Sequence, residues 1–107
     1  MSRLEVETSA EGGIGRVRVS GELDLDTSPD LLAALKEQVA SGRSLDVDLA
    51  SVGYIDSSGV AVLIHGYKLA RKQGVEFALR DPSEKVRSVL ALSQLHEFFV
   101  VRVSGSS

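Results

Sequence analysis

Leu4, Val6 and Thr8 alternate with Glu5 and Glu7, the period of two that turns one face of a strand toward a core. Glu11-Gly12-Gly13 supplies a turn, and Ile14 to Ser20 continues as a second strand through Val17 and Val19, so the chain opens with a hairpin. Gly21-Glu22-Leu23-Asp24 closes that strand. Thr27-Ser28-Pro29-Asp30 then reads as a helix start, with a hydroxyl cap, proline in the first turn and acids nearby. Leu31, Leu32, Leu35 and Val39 form the apolar stripe of this helix, and Ser41-Gly42 stops it. Leu45, Val47 and Leu49 alternate with Asp46, Asp48 and Ala50 as a third strand. After it, Val60, Leu63, Ile64, Tyr67 and Ala70 return at spacings of three and four, an amphipathic helix ending at Gly74. Val75, Phe77 and Leu79 alternate with Glu76, Ala78 and Arg80 as a fourth strand. Asp81-Pro82-Ser83 caps a third helix carrying Val86, Val89, Leu90 and Leu92. Leu95 anchors the next turn, and Phe98 to Val103 is β-branched and aromatic enough for a last strand.

The order ββαβαβαβ predicts an α/β fold. Strands separated by helices of this length pair in parallel through right-handed crossovers, and the opening hairpin adds an antiparallel strand. The expectation is one domain over residues 1–103 with a mixed, mostly parallel five-stranded sheet and amphipathic helices. A length of 107 residues fits one core and leaves little room for two. The tail Ser104-Gly105-Ser106-Ser107 has linker composition and is expected to be flexible.

The polar hexapeptide Tyr54-Ile55-Asp56-Ser57-Ser58-Gly59 falls where a buried strand becomes a helix. The first four N–H groups of a helix lack intrahelical partners, so Asp56, Ser57 or Ser58 can each accept from them as an N-cap. Gly59 lets the backbone be approached closely. The same helix end favours negative charge, and a hydroxyl there can carry a phosphate facing free N–H groups. Strand-to-helix junctions with Asp and Ser caps are common, and capping alone explains all three polar residues; the redundancy is harder to account for, two hydroxyls and a carboxylate in a row where one cap suffices.

Charge and composition narrow the function. Formal net charge is −3, with 12 Lys plus Arg against 15 Asp plus Glu, which argues against a dedicated nucleic-acid binder. Lys68, Arg71 and Lys72 fall at the end of the central helix, where cations suit the dipole and face solvent. There is no cysteine, which excludes disulfides and thiol catalysis. Met1-Ser2-Arg3-Leu4-Glu5 lacks the apolar core of a signal peptide, and no apolar run approaches the ~18 residues of a membrane span. A cytoplasmic location is expected.

A serine on a strand-to-helix turn invites comparison with the hydrolase nucleophile elbow, Gly-x-Ser-x-Gly. The residues two before Ser57 and Ser58 are Ile55 and Asp56, so the motif fails on both. His65 lies eight residues along the helix from Ser57, about 12 Å along its axis at 1.5 Å per residue, out of reach as a base. His96 stands alone in a turn, and two isolated histidines match no zinc-ligand spacing. Asp24, Asp26 and Asp30 are explained by helix entry and match no calcium loop. Gly13-Ile14-Gly15 leads into a strand and lacks a third glycine, which removes it as a nucleotide loop. No enzyme, cofactor or metal is expected.

Gly21-Glu22-Leu23-Asp24, Val47-Asp48-Leu49-Ala50-Ser51-Val52 and Tyr54-Ile55-Asp56-Ser57-Ser58-Gly59-Val60 together resemble the STAS domain, most closely that of bacterial anti-sigma factor antagonists. The similarity covers Leu4 to Val103 in element order as well as motif. The resemblance implies that the hydroxyl directly after the aspartate, Ser57, is phosphorylated by a partner that is both anti-sigma factor and serine kinase, flanked by Asp56 and Ser58 as contact residues. It implies further that the unphosphorylated protein binds that partner, frees the sigma factor, and is reset by a phosphatase. The docking face then comprises the Asp24 to Asp30 entry, the turn Asp56 to Gly59, and outward residues of the central helix such as His65 and Lys68. His65 with Leu69-Ala70-Arg71-Lys72-Gln73-Gly74 also resembles the small STAS subunit of Mla-type lipid-transport ABC complexes, which binds the transporter ATPase. A scaffold subunit of a stress-signalling assembly is a third reading.

Overall fold

A computed structural model describes residues 3–95 and 97–104. His96 and the tail residues after Ser104 lie outside them. Strands β1 (Leu4–Glu11) and β2 (Ile14–Leu23) form the expected hairpin, with Gly12 and Gly13 both at positive φ, the backbone that a two-residue turn between right-twisted strands needs. Helix α1 (Ser28–Ala40) crosses to β3 (Ser44–Ile55), and α2 (Ser57–Gln73) to β4 (Phe77–Arg80). Helix α3 (Glu84–Leu92) crosses to β5 (Val100–Arg102). The sheet order is β1-β2-β3-β4-β5, antiparallel in the first pair and parallel in the rest.

Alternation builds the core. Val17, Val47 and Leu79 lie in register across β2, β3 and β4, all fully buried, and Leu31, Leu35 and Val39 of α1 with Val60, Leu63 and Ala70 of α2 complete the same cluster. On the other row Arg16, Asp46 and Ala78 align, followed by Arg18, Asp48 and Arg80. Asp46 is only 4% exposed there because Arg80 lies on it, Nε to Oδ2 at 2.7 Å, with Arg16 at 3.8 Å.

β3 runs on to Ile55, past the Ala50 at which its clear alternation ends, because its upper half pairs with Ser20 to Leu23 of β2 through two register shifts. β4 pairs with β3 only as far as Asp48. The edge beyond is met by the start of α3: Ser83 N–H donates to Leu49 O and its hydroxyl donates to Val52 O at 2.6 Å. Ser83 also caps α3, accepting from Val86 N–H, as the sequence predicts.

Three expectations are corrected. Leu92 does not join the stripe of α3; it is 86% exposed at the helix's last position. Thr27 gives no side-chain cap to α1, because its hydroxyl turns back to accept from Asp24 N–H and donate to Glu22 O. The last strand is confined to Val100–Arg102, since Phe98 and Phe99 are drawn into an aromatic cluster with Tyr67 and Phe77. Ser104, the first residue of the predicted tail, donates from its N–H and hydroxyl to Asp81.

Candidate functional site

The junction between β3 and α2 assigns its polar residues to separate tasks. Asp56 is the N-cap, in extended backbone, and its Oδ1 accepts from Ser58 N–H at 2.9 Å and Gly59 N–H at 3.4 Å. Its own N–H donates to Leu23 O, which ties the start of α2 to the end of β2. With the cap supplied by Asp56, Ser57 occupies the first helical position, exposed, and its hydroxyl makes no hydrogen bond among the described residues. Ser58 is half-buried behind it.

Gly59 is buried, and the close approach it permits is internal. A Cβ there would stand 2.7 Å from Leu23 Cγ, 2.8 Å from Ile55 Cγ1 and 2.9 Å from Leu23 O. Its missing side chain seats the first turn of α2 on the ends of β2 and β3, which sets where Ser57 emerges.

Beside the cap, the loop between β2 and α1 folds on Asp24. Asp24 Oδ1 accepts from the N–H groups of Asp26 and Thr27 at 3.0 and 3.1 Å. Its Oδ2 meets Arg3 Nη1 at 2.7 Å; Arg3 also reaches Glu22 at 3.5 Å and Asp26 at 3.3 Å. Burial raises the Asp24 pKa, but the hydrogen bonds from Thr27 N–H, Arg3 and Asp26 N–H outweigh it and hold the carboxyl below its ordinary value. Arg3, Glu22, Asp24, Leu25, Asp26, Tyr54 and Asp56 line one open cleft. Two of these are exposed apolar side chains: Leu25 at 72% and Tyr54 at 42%, the latter with Lys85 Nζ 5.8 Å from its ring centroid.

The structure thus brings Asp24 and Asp56 into one cleft, with Ser57, Ser58 and Gly59 on the adjoining turn. His65 and Lys68 are exposed further along α2, outside the lining of that cleft. Arg3 escaped the sequence reading, and Leu25 and Tyr54, though inside the Asp24 to Asp30 entry and the hexapeptide, were not singled out in it. Leu25 had a signal, a single leucine between acids with no periodic partner; Arg3 had none, because it meets the loop across 19 to 23 residues. The arrangement offers an accessible hydroxyl on a helix N-terminus beside an acidic, partly apolar cleft. Among the described residues no group of three or more His, Asp or Glu is placed to hold a metal, and no helix is long and apolar enough to cross a membrane.

Comparison with known proteins extends this picture. Residues 6–102 match the family model described as "Mlab, STAS domain". The chain is 31% identical over 101 residues to the anti-sigma F factor antagonist of Paenibacillus polymyxa, covering 92% of this chain and 86% of that protein. It is 28% identical over 92 residues to the anti-sigma-B factor antagonist of Bacillus subtilis (strain 168), covering 86% and 83%. Among solved structures, an anti-sigma factor antagonist from Mycobacterium paratuberculosis superposes with a TM-score of 0.84 at 27% identity, covering 92% of this chain and 85% of the other.

Proposed function

Because the chain belongs to the STAS domain family, with anti-sigma factor antagonists among its relatives, we propose that it is itself such an antagonist, a partner-switching regulator and not an enzyme. In this reading it works in the cytoplasm: unphosphorylated, it binds an anti-sigma factor that is also a serine kinase, and phosphorylation of Ser57 ends the binding. The observation that carries the reading is the division of labour at the turn. Asp56 satisfies the helix end, and the Ser57 hydroxyl is left exposed and unengaged.

The chemistry follows from that placement. Ser57 Oγ attacks the γ-phosphorus of the kinase's ATP, the bond to the β-phosphate oxygen breaks, ADP leaves, and the hydroxyl proton passes to a base of the kinase. This protein supplies the acceptor and no catalytic group. The product carries roughly −1.5 to −2 charge beside Asp56, at the positive end of the α2 dipole, which accommodates it without refolding. Leu25 and Tyr54 are exposed apolar side chains, which close contact with a partner would bury. A hydrated phosphate next to them opposes that contact, and it repels the anionic nucleotide that the kinase brings to the same point. A phosphatase that hydrolyses the ester restores the binding form. Partner contact then falls on Asp24, Asp56, Ser57 and Ser58, with His65 at its margin and Gly59 shaping the turn from beneath. The relatives described above are antagonists, and they give no support to the alternative of a lipid-transport subunit.

Affinity capture from the native cytoplasm with wild type, Ser57→Ala and Ser57→Asp, read by mass spectrometry with phosphosite mapping, tests this reading. The expected result is an anti-sigma factor with serine kinase activity held by wild type and Ser57→Ala, lost with Ser57→Asp, and phosphate on Ser57. Capture of an ABC transporter ATPase, with Ser57 unmodified, overturns it.

A further inference from the structure

Arg16, Asp46 and Ala78 lie in register across β2, β3 and β4, on the side of the sheet opposite to the buried Val17, Val47 and Leu79. Near the start of β3, at the far end of that strand from Ser57, this row borders a cleft of about 220 Å³ whose charged lining is Arg16, Asp46, Glu76, Arg80 and Arg102. Three guanidiniums meet two carboxylates there, a local surplus of positive charge in a chain whose formal net charge is −3.

Asp46 is the unusual member, at 4% exposed. Its Oδ2 accepts from Arg80 Nε at 2.7 Å and has Arg16 Nη2 at 3.8 Å. Its Oδ1 is buried and accepts no hydrogen bond among the described residues. A buried carboxylate oxygen without a donor is costly, and native proteins pair nearly all such atoms, with protein, water or a ligand. The donors in the cleft are turned elsewhere. Arg80 gives Nη1 to Ser104 Oγ at 3.5 Å, and Arg102 gives Nη2 to Glu76 Oε1 at 3.1 Å. Arg16 makes no hydrogen bond among the described residues, and its side chain, 42% exposed, is free to close on a ligand.

The cleft thus calls for a donor to Asp46 and for acceptors to its guanidiniums. A metal cation meets the carboxylate and is repelled by three arginines. Water supplies the donor and leaves the positive surplus in place. A hydrogen phosphate carries a P–OH and anionic oxygens on one tetrahedral group. We infer that this cleft binds inorganic hydrogen phosphate, its P–OH donating to Asp46 Oδ1 and its anionic oxygens accepting from Arg16, Arg80 and Arg102. The carboxylate makes the site selective, because it accepts from a protonated oxyanion and repels one without a proton. A phosphomonoester, with a second pKa of about 6, has lost that proton at neutral pH, so free phosphate is the ligand.

The test titrates the intact protein with sodium phosphate, sodium sulfate or methyl phosphate at pH 7.5 and matched ionic strength, read by the side-chain Nε–H NMR signals of Arg16, Arg80 and Arg102. Phosphate is expected to give saturating shifts, with sulfate and methyl phosphate at least about tenfold weaker, since a site that hydrogen-bonds a hydroxyl rejects an analogue lacking it. Asp46→Asn, whose amide can donate, is expected to erase the preference for phosphate over sulfate. Arg16→Gln is expected to weaken both anions about threefold, the scale of one exposed charge contact, and to keep the preference. Arg18→Gln makes the same change in charge beside Asp48, outside the lining of the cleft, and is expected to do less. Thermal melts check that each variant is folded, and the comparison of the three anions on wild type stands even where Asp46→Asn is not. Equal binding of phosphate and sulfate, methyl phosphate binding as tightly as phosphate, a preference that survives Asp46→Asn, or no saturating shift at these arginines overturns the inference. None of these outcomes bears on the switch at Ser57, and failure of the capture experiment leaves this site standing.

Discussion

Replacing Gly59 by alanine places a methyl group into the contact that positions the turn between β3 and α2. The new carbon would stand 2.7 Å from Leu23 Cγ, 2.8 Å from Ile55 Cγ1 and 2.9 Å from Leu23 O, when ordinary contact begins near 3.4 Å. None of the three has room to yield. Leu23 and Ile55 are 0% and 2% exposed, and the Leu23 carbonyl is held by Asp56 N–H. Overpacking of this kind costs about 1–3 kcal/mol. Alanine's better helix propensity returns up to ~1 kcal/mol at an interior position and less in the first turn. The net expectation is a loss of about 1–2 kcal/mol, or roughly 4–16 °C in melting temperature for a domain of this size. Two internal controls grade the effect. At Gly66 the clash is 2.8 Å to Leu35 Cδ1 and 3.0 Å to Phe77 Cε2, both side-chain ends, so Gly66→Ala should cost less. At Gly53 nothing lies within 4 Å, and Gly53→Ala should fall within about 0.5 kcal/mol of wild type. Thermal and urea unfolding of the three variants reads the series. A Gly59→Ala protein as stable as Gly53→Ala would refute the seating of α2 on β2 and β3.

Other predictions follow from the same geometry. Asp56→Ala should lose about 1 kcal/mol with the cap, whereas Asp56→Asn, which still accepts a hydrogen bond, should lose only a few tenths, as measured by urea denaturation. Asp81 is held below its ordinary value first by the Ser104 hydroxyl and then by the Ser104 N–H, with burial opposing. A depressed folded-state pKa means that the unfolded chain binds the proton more readily, so Asp81 and Asp24 both stabilise the fold above the ordinary carboxylate range near ~3.9, and that contribution is lost as pH falls through their folded values. Ser104→Ala should raise the Asp81 titration midpoint toward the ordinary value, visible by carboxyl carbon NMR, while leaving Asp24 unchanged. Leu63→Ala, at a fully buried position of α2, should cost about 2–5 kcal/mol in the same unfolding assay.

The elements that could be read from sequence are those whose burial is one-sided. α1 and α2 bury a stripe, and β2 buries Val17 and Val19 between more open neighbours, so period and burial coincide in them; in β3 the apolar alternation of Leu45, Val47 and Leu49 is legible although Asp46 is buried too, and in β1 only Leu4 is buried and Val6 half-buried. In β4, Phe77, Ala78 and Leu79 are all buried, and the strand is shorter than the alternation from Val75 predicts. The upper half of β3 was hidden because Gly53 and the exposed Ser51 and Tyr54 break the apolar rhythm, and long-range contacts keep that half extended, pairing with β2 on one edge and Ser83 on the other. At the site, the turn was legible because helix capping is local chemistry: the residues that compete for the role are adjacent. Which of them won was decided by Asp56 lying in extended backbone with its N–H on Leu23 O. Thr27 was misread for the complementary reason. Asp24 and Glu22 offer its hydroxyl better partners than the helix start does. The Arg3 contact follows from the register of the hairpin, which no local pattern encodes.

The central claim is that a phosphate on Ser57 is enough to end partner binding without disturbing the fold. The most direct measurement is calorimetric binding of the captured anti-sigma factor to this protein before and after stoichiometric phosphorylation at Ser57, with melting curves of both forms. The account predicts at least a tenfold loss of affinity with the fold retained. Equal affinity for both forms, or a loss of binding that comes only with unfolding, would contradict it.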